Sequence, residues 1–276
     1  MVTATVLALS AAVLHATWNL VLKRSHDRDA AFWAIVLIGA VISVPVLFAT
    51  GLPGLRTLPY LAGSATVQVA YVAGLARAYT HGDFSLAYPV ARGTGALGAA
   101  LIGAWALEEH LPGPAWAGVA VVAASLVLLV RRGASAASLG WAFATGAAIA
   151  GYSVIDAAGS RRAASGLGYG LAIEVATGVT VSVAGLAAGR TAAMIDEVRR
   201  RPWPLATAGV LLATAYTLVV TAFRLAPVGY VSVLRESSVL VGALLGWLLL
   251  RERFGSRRAL SSAVMVVGLA LLVACA

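Results

Sequence analysis

Apolar residues in this chain come in long runs, not in the alternating or one-in-three patterns of half-buried strands and helices. Each run is about as long as a bilayer is thick, since a spanning helix needs about 20 mainly apolar residues. Ten runs can be marked, at 4–22, 31–50, 58–80, 85–107, 114–131, 138–157, 168–189, 203–225, 229–250 and 258–275. Charged residues gather in the short gaps between them, as in Lys23-Arg24-Ser25-His26-Asp27-Arg28-Asp29 and Arg199-Arg200-Arg201-Pro202. No gap is long enough to fold as a separate soluble domain. The first run has no basic leader and is read as a retained helix, not a cleaved signal. The pattern predicts an all-α, polytopic membrane protein with ten spans.

The ten runs divide into two sets of five. Shifting the chain by 143 residues lays Arg92 on Arg235, Gly103 on Gly246, Leu107 on Leu250 and Glu109 on Glu252. The register holds without a gap to Leu129 over Leu272 and Val130 over Val273, with 13 identities in the 39 positions from Arg92 to Val130. Any two membrane helices share Leu, Ala and Val, so the Arg, Gly and Glu matches carry the information. A fainter match sets Ala16-Thr17-Trp18-Asn19 against Ala150-Gly151-Tyr152-Ser153. The expected repeats are 1–133 and 134–276. Because five is odd, the second copy enters the membrane from the opposite side, and the halves form an inverted pair with a site expected at their interface.

Composition agrees with this reading and closes off others. Only 11% of residues are charged, 61% are hydrophobic and the mean hydropathy is +0.91. The net charge of +9 does not signal nucleic-acid binding, because the basic residues flank apolar runs instead of forming a basic face with interleaved aromatics. The single cysteine, Cys275, rules out intrachain disulfides and a CxxC metal site. The gaps after runs 1, 5, 7 and 9 hold 13 Lys and Arg, against four in the alternate gaps. By the positive-inside rule both termini lie outside the cytoplasm.

Ionisable groups inside a membrane cost several kcal/mol unless paired or hydrated, so each is a candidate for function. Arg92 and Arg235 lie about 10 Å and about 9 Å into runs 4 and 9, which enter from opposite sides, so they bracket the midplane. Two guanidiniums in one cavity suit carboxylate, phosphate or phosphonate groups. The alternative is that each Arg is neutralised by a protein carboxylate, and for Arg235 the candidates are Glu174 and Asp156. Glu236 points about 100° from its neighbour Arg235 and forms no simple pair with it. Glu174 and Glu236 are candidates for proton coupling or for pairing with arginine. His15, Trp18 and Asn19 share one face of run 1 and either line a cavity or bond to other helices. Tyr71, Tyr88, Tyr152 and Tyr216 are candidate solute contacts, whereas Tyr79 and Tyr230 fit interfacial belts. Gly93, Gly95, Gly98 and Gly103, with Gly242 and Gly246, predict close packing of runs 4 and 9, on each other or on neighbours. Glu109 and Glu252 stand at helix ends, where they either cap the next helix or pair with Arg253 or Arg258.

No catalytic motif is present: no G-x-S-x-G, no H-E-x-x-H and no P-loop. The expectation is therefore not an enzyme, with no cofactor and no metal. The preferred function is alternating access by a secondary transporter, an exporter or exchanger of a small polar or anionic metabolite, in a cell's inner (plasma) membrane. Its expected partners are that solute, the lipid bilayer and a coupling proton, with the protein a monomer or homodimer. The alternatives are an integral membrane enzyme or lipid-modifying protein, a multidrug exporter of amphipathic compounds, and a passive channel.

The five-plus-five plan, Trp18 with Lys23 closing run 1, Leu107-Glu108-Glu109 before run 5 and Leu248-Leu249-Leu250-Arg251-Glu252-Arg253 before run 10 resemble the drug/metabolite transporter superfamily, EamA type. The resemblance spans the whole chain. It implies export or exchange of amino acids, metabolites or drugs through a cavity lined by runs 1, 3, 4, 6, 8 and 9, and it implies cytoplasmic termini, opposite to the Lys/Arg count. His15-Ala16-Thr17-Trp18-Asn19 and Leu234-Arg235-Glu236-Ser237-Ser238 are similar to one EamA branch that includes proteins linked to phosphonate use.

Overall fold

The computed structural model describes residues 1–80, 84–128, 135–250 and 256–276, with the backbone alone at 76, 79, 80, 84–88, 250 and 258. Among the described residues all regular structure is helical. The helices are α1 (Val2–Lys23), α2 (Arg28–Thr50), α3 (Leu58–Thr80), α4 (Phe84–Ala106), α5 (Gly113–Val127), α6 (Ala136–Arg162), α7 (Gly166–Ala187), α8 (Thr191–Arg200), α9 (Pro202–Ala222), α10 (Val228–Arg235), α11 (Ser237–Leu250) and α12 (Ser256–Cys275), with one 3-10 turn at Leu55–Thr57. Among the described residues six stretches are long and apolar enough to cross a membrane, one of them being Val228–Leu249, which joins α10 to α11; Gly113–Val127 and Ala259–Cys275 are shorter apolar helices.

Helix starts follow the local chemistry. Asp27, Ser135 and Ser165 each accept a hydrogen bond from a backbone N–H three residues on, at 3.1, 3.1 and 2.9 Å, which satisfies a donor that has no partner inside the helix. Pro112 and Pro227 precede α5 and α10, and Pro202 opens α9, where a missing N–H costs nothing. Two features depart from the sequence expectation. Residues 191–200, read as a charged gap, form the short α8, whose Met194 and Val198 pack on the core beside α2. By its apolar pattern run 6 ends at 157, but α6 continues to Arg162, so Asp156 lies well inside the helix and is fully buried.

The radial distribution of side chains is that of a membrane protein. The core is rich in Ala, while Phe48, Trp105 and Trp203 stand 72%, 83% and 81% exposed. Large apolar side chains facing outward are tolerated where the surroundings are lipid. Small residues inside allow close crossings. A methyl added to Gly118 would meet the Leu272 amide nitrogen at 2.6 Å and the Gly268 carbonyl at 2.8 Å, so α5 and α12 touch backbone to backbone. The glycine face of α4 behaves differently from the packing foreseen with run 9. Gly95 and Gly98 face Ile149 and Ala150 of α6, Gly93 faces Leu126 of α5, and Gly242 has nothing within 4 Å. The contact of α4 with α10 runs instead through Ala100 against Gly229 and Gly103 against Val228.

Ion pairs tie the two ends of the bundle. At one end Arg190 reaches both carboxylate oxygens of Asp27 (2.8 and 2.6 Å), and the Asp27 N–H donates to Glu197 Oε1 at 2.7 Å. At the other end Glu109 pairs with Arg161 and accepts the Val228 N–H at 2.8 Å. Glu109 therefore caps α10, far along the chain, and not the helix that follows it. The backbone explains how it gets there. Glu108 has φ 54°, a left-handed conformation that ends α4 and turns Glu109 back toward Gly103, whose carbonyl accepts the Glu109 N–H at 3.3 Å. Glu252, Arg253 and the Arg258 side chain lie outside the described residues.

Candidate functional site

In the middle of the bundle is a cavity of about 90 Å³ lined by residues from α1, α2, α3, α4, α6, α7, α9 and α10. The resemblance implied runs 1, 3, 4, 6, 8 and 9 as its wall; α2 and α7 also contribute, through Phe32 and Val36 and through Glu174 and Thr177. Of the candidate site residues, His15, Trp18, Tyr71, Tyr152, Tyr216, Arg92, Arg235 and Glu174 all line it. The Tyr88 side chain, like that of Tyr79, lies outside the described residues.

The two repeat-matched arginines occupy different situations. Arg92 is buried and grips Glu236 with two prongs, Nε to Oε2 at 3.1 Å and Nη2 to Oε1 at 2.9 Å. This fork is the strongest geometry for a guanidinium and a carboxylate. Arg235 has no carboxylate partner among the described residues. It lies 8% exposed with its guanidinium carbon 5.7 Å from the centre of the Tyr216 ring, within range of a cation–π contact. Neither Glu174 nor Asp156 neutralises it. The Glu236 backbone helps set the difference. Its N–H bonds to the Val233 carbonyl at 3.0 Å and its carbonyl accepts from Val239 at 2.9 Å, a tight turn that separates α10 from α11 and lets Glu236 leave the Arg235 direction to meet α4.

Asp156 sits behind the wall. It accepts hydrogen bonds from Ser64 Oγ (2.8 Å), Tyr169 Oη (3.0 Å) and Tyr216 Oη, and Gln68 Nε2 donates to the same Ser64 at 3.2 Å. A carboxylate with three hydroxyl donors is well satisfied in a dry interior. It also fixes the ring on which Arg235 rests. Glu174, 4% exposed, has no hydrogen bond or ion pair to a described residue.

The polar stripe of α1 divides. His15 and Trp18 meet edge to face with centroids 5.0 Å apart, and both line the cavity. Asn19 instead turns back, donating to the His15 carbonyl at 2.7 Å, and does not line it. Tyr71, Tyr152 and Tyr216 form an aromatic ladder with spacings of 5.9 and 6.3 Å. Tyr230 is no belt residue: it is buried and shares a 2.7 Å hydrogen bond with Thr5. Trp18 Nε1 and Thr177 Oγ1 are buried with no hydrogen-bond partner among the described residues while lining the cavity, so both can serve a solute. Sequence reasoning missed Gln68, Phe32 and Thr177. Gln68, an amide in mid-run, was the one with a visible signal. Among the described residues no group of three or more His, Cys, Asp or Glu is placed to hold a metal.

The comparisons with known proteins agree with this architecture. A solved crystal structure superposes with a TM-score of 0.80 at 20% identity, over 98% of this chain and 96% of its own, which establishes a shared fold. No curated protein matches the chain. The model of the EamA-like transporter family matches residues 136–274, half of the chain and the whole of α6 through most of α12. This is a multi-pass membrane transporter-like protein, and it belongs to the EamA-like transporter family.

Proposed function

We propose that the protein is a secondary transporter, an exporter or exchanger of a small polar or anionic metabolite, working by alternating access between two inverted five-span halves. The observation that carries this reading is the central cavity, walled by helices of both halves and holding Arg92 and Arg235 from matched positions. Ten spans follow when α10 and α11 count as one and α8 lies at the surface. Helix pairing supports the duplication: α2 packs on α7 and α5 on α12, while α6 packs on α3 and α4 as α1 packs on α9 and α10–α11. The halves are 1–133 and 134–276. Arg235 is the anchor for the solute's acidic group, with His15, Trp18 and the tyrosine ladder around it. Arg92 contributes mainly through Glu236.

The test is counterflow in proteoliposomes with a panel of amino acids, organic acids and phosphonates. Saturable counterflow of at least one member is expected, and Arg235→Ala should lower it at least tenfold. That is the loss of a charge-assisted contact worth about 1.5–3 kcal/mol. Flux that rises linearly without saturation would identify a channel instead, a chemically altered solute an enzyme, and full activity in Arg235→Ala would remove the anchor.

A further inference from the structure

Helix α8 lies across the start of α2 as a shelf. Arg190, just before it, grips both carboxylate oxygens of Asp27, and Glu197, toward its end, accepts the Asp27 N–H. Its Met194 and Val198 pack on the core beside α2, while Asp196, Arg199 and Arg200 are exposed. A helix with one apolar and one charged face suits the plane of a membrane interface. Trp203, exposed just beyond it, is a residue type enriched at that level. Beneath the shelf is a recess of about 300 Å³, walled among the described residues by α2 and α8 alone. Leu37, Ile38, Val41 and Ile42 form its back, Met194 and Val198 its roof, and no polar side chain lines it. Between Ala34 and Ile42 it follows α2 for about 12 Å, most of the roughly 15 Å hydrocarbon depth of one leaflet. Val41, 61% exposed, puts its mouth on the lipid side. A dry apolar wall gives water nothing to bond, so the matter that fills this recess in a bilayer is acyl chain.

The rim of the shelf is cationic. Segments 23–29 and 190–201 carry seven Lys and Arg against four Asp and Glu. Three of the four acids are engaged: Asp27 by Arg190, Asp196 by Arg200 and Glu197 by the Asp27 amide. Asp29 is exposed. Arg199, beside Val198, is exposed and has no carboxylate partner among the described residues. Arg190 uses only Nη2 on Asp27, and its Nη1 and Nε make no hydrogen bond to a described residue. At the opposite end of the bundle Arg161, Arg162 and Arg224 are turned onto Glu109 and backbone carbonyls, so the two ends offer an anion very different surfaces. We infer that the recess is a binding site for an anionic phospholipid of the surrounding bilayer, with one acyl chain along α2 under α8 and the phosphate on the rim at Arg199 and the outer edge of Arg190. Guanidinium is well matched to phosphate. A choline lipid fills the recess equally but brings its own cation to the rim. Because α2 and α8 come from the two proposed halves, the chain braces one against the other at this end.

The experiment titrates full-length protein, delipidated in detergent, with dioleoylphosphatidylglycerol, dioleoylphosphatidylcholine and inorganic phosphate, read by native mass spectrometry and melting temperature. Phosphatidylglycerol should bind as a single molecule and raise the melting temperature. Phosphatidylcholine with the same chains should bind about fivefold more weakly, the worth of one cation beside an anionic headgroup, and the difference should shrink at high salt. Inorganic phosphate, having no chain, should do neither. Arg199→Gln, at an exposed position that leaves the fold alone, should remove most of the preference. Val41→Trp fills the recess from its mouth and should displace both lipids, whereas Val44→Trp, on the same helix outside it, should not. Equal binding of the two lipids by wild type, or binding of neither, would overturn the inference. So would a preference for phosphatidylglycerol that survives both Arg199→Gln and Val41→Trp. Stabilisation by inorganic phosphate alone would replace the lipid with a free ion, and a lipid-free dimer lost in Val41→Trp would put a second copy in the recess; either result overturns it. None of these outcomes touches the counterflow test of transport.

Discussion

Arg92 and Arg235 stand at equivalent places in the two halves of the sequence, yet one is locked to a carboxylate and the other lies open on a tyrosine ring. The difference arises one residue further along. Glu236 occupies the tight turn after α10 and turns to α4, where it meets Arg92; Gly93, its counterpart, has no side chain to offer. Matched sequence positions thus carry two cations, and a single unmatched residue ties one of them to a carboxylate while the other rests against a tyrosine ring. Matching residues across a repeat does not imply matching roles.

The largest effect that can break this contrast is on stability. Glu236→Ala removes the carboxylate that Arg92 grips with two prongs, and losing one member of a buried pair costs about 3–5 kcal/mol. The melting temperature of the detergent-purified protein should fall steeply, whereas Arg235→Ala should melt close to wild type. Equal melting of the two variants would show that the arginines are equivalent after all. A smaller effect is expected at Gly103, where an added methyl would overlap Val228 and come within 2.8 Å of Glu109 Oε2. Gly103→Ala should cost about 1–3 kcal/mol, the usual range for overpacking, and the same melting assay reads it. The smallest effect lies at the opposite end of the bundle. The Arg190–Asp27 pair is partly exposed, at 42% and 31% for the two side chains, so Arg190→Ala should cost no more than about 1 kcal/mol. A loss as large as that of Glu236→Ala would mean that this end is as dry as the cavity.

Much of the bundle could be read from the chain because apolar run length is a property of consecutive residues. The runs at 31–50 and 58–80 end within a few residues of α2 and α3. The same logic failed for α8, since the charges at Asp196, Glu197, Arg199 and Arg200 mark a gap when counted by composition, although Met194 and Val198 repeat at helical spacing. It also stopped α6 short: Ser160, Arg161 and Arg162 are polar but still helical, and Asp156 was therefore placed nearer the helix end than it is. Pairings across the bundle were hidden more thoroughly. Arg92 and Glu236 are 144 positions apart, and helical geometry separates Glu236 from its neighbour Arg235 without saying which distant cation it meets. Glu109 reaching α10 depends on the left-handed turn at Glu108, a conformation that no residue type at that position announces. Gln68, alone among the missed wall residues, could have been picked out as an amide inside an apolar run.

Helix α10 is held at both ends by the half of the chain to which it does not belong. Glu109 grips its first amide, and the Arg92 pair holds the residue just past its last turn, with Tyr230 tied to Thr5 between them. Any rearrangement that parts the two halves must tear all three fastenings or carry this short rod along with its hosts. The second course would swing Arg235 with the opposite partner and flex the chain at the junctions on either side, near Pro227 and Ser237, so that the moving bodies would be divided along a different line from the proposed halves.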